Sequence, residues 1–336
     1  MKKILLFRPL ICLGGTEKMM LNLLDHLSDY DVYVGYTDDT SDSEILEKFS
    51  KKATLLQLNE PTDLTFDIAI ACTWRYQQYP QFTNLNYQRL FLWVHNLTKV
   101  EQSALNFPEE YQKIDTIISV SQTLTHKLIH LFPNIGDKIV TIYNILDRES
   151  ILKKAEVPIS LDLSPTLNLV TVARVCWTKG FKRMLELAKN LREASVSFKW
   201  FVVGGNYHKE EEEEIHNAFE EFKEEFVWFG FIDNPHPIVK QCDYSVLLSN
   251  EETWGLALTE AMTLHVPCIC SDFEVAFEQI QDGKNGIILA REAKSYKDKV
   301  SEIMNGKGKY KEAVKNYFYD NEKILKEWEK LINEEY

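Results

Sequence analysis

The chain has 336 residues, 45% of them apolar and 26% charged, with a net charge of −13. That length suits two domains of about 150 residues each, and the composition is that of a soluble globular protein rather than a disordered chain. The acidic excess runs throughout, with 14 basic against 19 acidic groups in residues 1–150 and 24 against 32 in the rest, so no basic domain marks a nucleic-acid partner.

The opening "MKKILLFRPLICLGG" imitates a signal peptide. Arg8 and Pro9 interrupt its apolar run, no small-x-small cleavage site follows, and it reads instead as a first strand. No later segment approaches the roughly 18 uninterrupted apolar residues of a membrane span. A cytoplasmic protein is expected, with at most peripheral membrane contact. Cys12, Cys72, Cys176, Cys242, Cys268 and Cys270 include no C-x-x-C pair and read as thiols in apolar runs, not as zinc ligands or a disulfide framework.

Strand candidates follow in order: "KILLF", "DVYVGY", "ATLLQL", "FDIAIA", "LFLWVH", "TIISVS" and "IVTIYN" in the first half. "LNLVTVA", "KWFVVGG", "VWFG", "YSVLLS", "PCICS" and "NGIILA" make up the second. They alternate with amphipathic helical stretches, the pattern of α/β domains with parallel sheets. Between the series, "DRESILKKAEVPISLDLSPTL" lacks sustained apolar alternation and reads as a linker. The predicted organisation is a domain over 1–150, a second over 151–318, and a helix over 319–336 that packs back on the first. Two such doubly wound domains are expected to face each other across a cleft, with ligands outside the carboxyl ends of the strands. In "KEEEEEIHNAFEEFKEEF", Ile215, Phe219, Phe222 and Phe226 recur at helical spacing and predict a surface helix with a solvated glutamate face.

Four signals lie at predicted strand ends. Gly14-Gly15 follow strand one and open a helix, where glycine permits close backbone approach to an anion. His95 sits at the mouth of the "LFLWV" strand. Arg174 and Lys179 flank a turn before a helix near Gly180, where two cations would clamp a diphosphate. In "SNEETWGLALTEAM", Glu252 falls at a strand exit and Glu260 in the following helix, with the amides of Trp254 to Leu256 at the helix start. Two carboxylates so placed suit two grips on one ligand better than an acid and base flanking a single bond.

Gly-Gly-x-Glu at Gly14, Gly15 and Glu17, then His95, then Arg174, Lys179 and Gly180, then Glu252 and Glu260, Pro267, and Asp282-Gly283-x-Asn285-Gly286 together resemble the retaining glycosyltransferases of family four. "SVSQTLTHKL" and "TIYNILD" add to the likeness. It implies the GT-B fold of two Rossmann-like domains. It also implies catalytic roles for His95, Glu252, Lys179 and Arg174, and a donor site of Gly14, Gly15, Arg174, Lys179, Glu252, Thr253, Trp254, Gly255, Leu256 and Glu260. In that site Arg174 and Lys179 would bind phosphates, Glu260 the ribose and Glu252 the sugar, with Gly15 near the distal phosphate and His95 by the reacting sugar. The partners implied are a nucleotide-sugar donor, with a lean to UDP, and a saccharide or lipid-linked saccharide acceptor at the inner face of the plasma membrane. No metal and no cofactor are implied. Two positions depart from the family: Trp254 stands where phenylalanine is usual, and His265 where a glycine ends the helix. A metal-binding Asp-x-Asp in "YTDDTSDSE" is the rival motif, against which Asp38, Asp39 and Asp42 read as a turn capping the next helix. The competing functions are a nucleotide-sugar epimerase of the same fold and a catalytically silent partner subunit.

Overall fold

The computed structural model describes residues 1–12, 14–59, 62–96, 113–206 and 208–334. They divide into two units, Met1–Leu146 with Asp320–Tyr336, and Asp147–Tyr319. The first unit holds β1 (Lys3–Phe7), β2 (Asp31–Tyr36), β3 (Thr54–Gln57), β4 (Thr65–Ala71), β5 (Asn86–Val94), β6 (Thr116–Ser119) and β7 (Ile139–Thr141). These form one parallel sheet in the order β3-β2-β1-β4-β5-β6-β7. The second holds β8 (Leu167–Val172), β9 (Phe198–Val203), β10 (Phe226–Gly230), β11 (Tyr244–Leu247), β12 (Cys268–Ser271) and β13 (Gly286–Leu289), again all parallel, ordered β10-β9-β8-β11-β12-β13. Each strand lies on one of the runs the sequence marked. β6 and β12 are buried at every position, as strands covered by helices on both faces must be.

In each sheet the chain begins at an interior strand, works outward, and returns to build the other side. The direction reverses between β1 and β4, and between β8 and β11. In doubly wound sheets ligands bind outside the carboxyl ends of the strands at such a reversal point.

The helix Asn321–Asn333 is part of the first unit. Its Trp328 meets Trp93 of β5 edge to face at 5.0 Å. Arg89 donates to the carbonyls of Leu331, Ile332 and Glu334 at 3.2, 2.6 and 2.9 Å, which satisfies the acceptors of the last turn with a cation at the negative end of the helix.

Two expectations are revised, and the third, the capping turn of Asp38, Asp39 and Asp42, holds except that Asp39 bonds elsewhere. The acidic stretch is a helix only over Lys209–Ala218; a 3₁₀ turn, Glu220–Phe222, follows, and Phe226 opens β10. Phe219 and Phe226 meet edge to face in one aromatic cluster at 4.7 Å, so burial continues in helical rhythm after the backbone has left the helix. Inside the expected linker, Asp147 accepts from the Ser150 amide at 2.9 Å and starts a helix over Arg148–Lys154. The acidic cluster is shared out among turns: Asp42 caps the helix Ser43–Ser50, Asp38 accepts from Thr40, and Asp39 accepts from Gln57 and Asn59.

Candidate functional site

The second unit gathers most of the predicted residues at the β8/β11 reversal. After β8 the chain passes Arg174 and Lys179 and enters the helix Phe181–Glu193 through Gly180, whose φ is +82°. A Cβ at Gly180 would lie 1.7 Å from the carbonyl oxygen of Leu248, so only glycine lets the helix start press against the exit of β11. That approach sets Lys179 beside the loop after β11. Its Nζ stands 2.6 Å from Oε1 of Glu252, and Ser249 Oγ donates to the same oxygen at 2.7 Å. The two side chains are 21% and 14% exposed, shielded enough to strengthen the pair yet open to a ligand. The loops are tied together by the Asn250 amide, which donates to the Thr178 carbonyl at 2.8 Å. Arg183 Nε donates to the Leu248 carbonyl at 2.9 Å, and Arg291 Nη1 to the Asn250 carbonyl at 2.6 Å.

Arg174 is exposed at the same turn. Near it the Glu211 carboxylate accepts from the Trp177 amide at 3.0 Å and from Asn206 at 2.8 Å. The Trp177 amide chiefly holds Glu211 below the ordinary carboxylate range, with smaller contributions that include the charge of Arg174.

Gly255, in the left-handed region at φ +82°, starts the helix Leu256–Thr263 that carries Glu260. The indole of Trp254 is buried; its Nε1–H donates to Thr259 Oγ1 at 2.9 Å, Thr259 donates to Gln279 Oε1 at 2.8 Å, and Gln279 Nε2 donates to the Trp254 carbonyl. This ring of bonds fixes the turn through Thr253 and Gly255, so Trp254 serves it from the interior. Asn285 Nδ2 holds the Gln279 carbonyl at 3.1 Å and Asp282 accepts from the Ile288 amide at 2.8 Å. The Asp-Gly-x-Asn-Gly stretch thus braces the turn from behind. Glu260, 12% exposed, has its Oε2 3.4 Å from Nε2 of the buried His236. His265 takes the left-handed conformation at φ 60°, where its Nδ1 stands 3.1 Å from the Val314 carbonyl.

The remaining residues lie in the first unit. Gly14 and Gly15 are exposed at the start of the helix Gly15–Leu24. A Cβ on Gly14 would come 2.8 Å from Oε2 of Glu17, a carboxylate 2% exposed and paired with Arg8. Arg8 also donates to the Cys72 carbonyl at 3.1 Å, tying β1 to β4 across the reversal point. His95 follows β5 against Trp93, ring centroids 4.7 Å apart. Burial, with the nearby charge of Arg8, drives its pKa down to about 3, so the imidazole is neutral near pH 7.

Ser249, His236, Thr259 and Gln279 were not among the predicted residues. Ser249 precedes Glu252 by three positions, a spacing at which a hydroxyl reaches back to a carboxylate. His236 meets Glu260 only through the fold, and no local pattern points to it.

Among the described residues no cluster of His, Cys, Asp and Glu forms a metal-binding group, and no helix is long and apolar enough to cross a membrane.

Residues 162–319 match the family model described as glycosyl transferases group 1. A Klebsiella pneumoniae "uncharacterized 41.2 kDa protein in cps region" is 30% identical over 142 residues, covering 41% of this chain and 36% of that one. N-acetyl-alpha-D-glucosaminyl L-malate synthase of Bacillus anthracis is 25% identical over 183 residues, covering 53% and 46%. The alignments thus span between a third and a half of these relatives. Anabaena Alr3699/HepE, solved in complex with UDP and glucose, superposes with a TM-score of 0.79 at 15% identity over 99% of both chains. The chain therefore has the GT-B fold of two parallel-sheet α/β domains, and its residues 162–319 match the glycosyl transferases group 1 model.

Proposed function

We propose that the chain is a retaining glycosyltransferase of the family-four kind, moving a sugar from a nucleoside diphosphate donor, a UDP-sugar, to an acceptor hydroxyl. The observation that carries this reading is the Lys179–Glu252–Ser249 assembly at the β8/β11 reversal, inside the matched segment. Arg174 and Lys179, with the first turn of the helix Phe181–Glu193, offer positive charge for a diphosphate. Glu252 takes the sugar hydroxyls, the amides from Thr253 to Leu256 frame the sugar, and Glu260 accepts from the ribose. In the first unit, Gly14 and Gly15 are assigned to the distal phosphate and the neutral His95 to the sugar.

Transfer follows a front-face route. The bond from the anomeric carbon to the phosphate oxygen breaks, the acceptor oxygen bonds to the same face, and the acceptor proton passes to a non-bridging oxygen of the leaving diphosphate. The charge growing on that diphosphate is offset by Arg174 and Lys179, without a metal or cofactor. The acceptor is a lipid-linked saccharide of surface polysaccharide synthesis, met by a cytoplasmic enzyme at the inner face of the plasma membrane. The UDP and glucose bound by the Anabaena protein support the choice of a UDP-sugar donor, and the cps-region origin of the Klebsiella relative supports that of polysaccharide synthesis.

Proton NMR of the first-formed product in excess EDTA tests the mechanism. Product retaining the donor's anomeric configuration is expected; inverted product, or activity lost to EDTA and restored by manganese, contradicts it.

A further inference from the structure

His236 is 4% exposed at the start of the short helix His236–Gln241. Asn234 fixes its ring from one side. The Asn234 Nδ2 donates to the Lys154 carbonyl at 2.9 Å, so its Oδ1 is the atom that stands 3.0 Å from His236 Nδ1. An amide oxygen only accepts, and the hydrogen of that bond therefore belongs to Nδ1. The other nitrogen, Nε2, is buried, makes no hydrogen bond among the described residues, and faces Oε2 of Glu260 at 3.4 Å. With Nδ1 already protonated, a neutral ring would turn a lone pair on the carboxylate. A ring carrying both hydrogens turns a positive N–H on it instead, which is the attractive arrangement.

From this juxtaposition we propose that His236, oriented by Asn234, is a positioning residue that fixes the Glu260 carboxylate to receive the ribose diol of the donor nucleotide. The inference rests on the assignment of Glu260 to the ribose made above. A glutamate side chain has three rotatable bonds, and freezing them on ligand binding costs rotamer freedom. A ring nitrogen against one oxygen settles that conformation before the nucleotide arrives. Burial of the ring keeps it out of the ligand's reach, so its effect passes through Glu260 alone. The effect is accordingly specific to ligands with ribose hydroxyls.

Calorimetric titration of UDP and of 2′,3′-dideoxy-UDP tests this on the full chain. The wild type is expected to bind UDP about tenfold or more tightly than the dideoxy compound, the scale of one hydrogen bond to a charged acceptor. His236→Ala should bring that ratio to within about twofold while leaving affinity for the dideoxy compound unchanged, since only the hydroxyl-dependent part is removed. His236→Gln, which fills the space and offers an uncharged N–H, should restore part of the ratio, and serves also if the alanine variant does not fold. A wild-type ratio retained in full by both variants overturns the role of His236 and leaves the assignment of Glu260 standing. A wild type that binds both compounds equally overturns the ribose assignment itself, and the inference with it.

Discussion

Glu252 receives a cation and a hydroxyl on one oxygen, from residues 73 and 3 positions away in sequence. Replacing its charge while keeping its shape isolates that chemistry: Glu252→Gln should lower donor turnover by roughly 10²-fold, the usual cost of one charge-stabilising contact, with the circular-dichroism melt little changed. His95 works oppositely, through absence of charge. Its folded pKa of about 3 lies below the ordinary value of 6.5, so the unfolded chain binds the extra proton first as pH falls. The stability this gives is complete above about pH 6.5 and is lost on acidification toward pH 3. Its slope reaches at most ~1.4 kcal/mol per pH unit, and less to the extent that water still reaches the residue. Urea denaturation at pH 7 and pH 5 should show the wild type losing more stability than His95→Gln; equal losses would contradict a buried neutral imidazole.

Three elements depend on backbone conformations or contacts that a single substitution probes. Gly180→Ala forces a methyl to within 1.7 Å of the Leu248 carbonyl at φ +82°. It should cost on the order of 2 kcal/mol or more and weaken UDP binding together with stability, because the same turn sets Lys179. At His265, in the left-handed region without being glycine, a β-branched side chain is worse tolerated than a straight one. His265→Val should be less stable than His265→Gly by ~1–2 kcal/mol in thermal melts. Trp328→Ala, emptying the contact with Trp93 in the first unit, should cost ~3–5 kcal/mol by chemical denaturation. Elements of this kind were legible to different degrees. The strands showed plainly, since buried parallel strands read as apolar runs. The end of the helix at Ala218 did not, because Phe219, Phe222 and Phe226 carry its apolar rhythm into a different backbone. The short helix Arg148–Lys154 hid for the opposite reason: it buries Ile151 alone, too little for a periodic signal.

For the whole molecule, the order of strands in each sheet matters more than any one motif. A chain that reverses between β8 and β11 brings together the loops bearing Lys179 and Glu252, two residues that strand exits suggested and the family resemblance singled out. What no local pattern revealed is the set of supports, His236 behind Glu260 and Gln279 behind Trp254, joined across 24 and 25 positions by packing alone. Under the proposed function the donor is a nucleotide sugar gripped at this reversal point. Nucleoside diphosphate release across a panel of UDP-sugars, compared between wild type and Lys179→Ala, tests that most directly. Release from at least one donor by the wild type, reduced roughly 10²-fold or more in the variant, is the predicted result. No release from any donor, or equal release by both proteins, would contradict it.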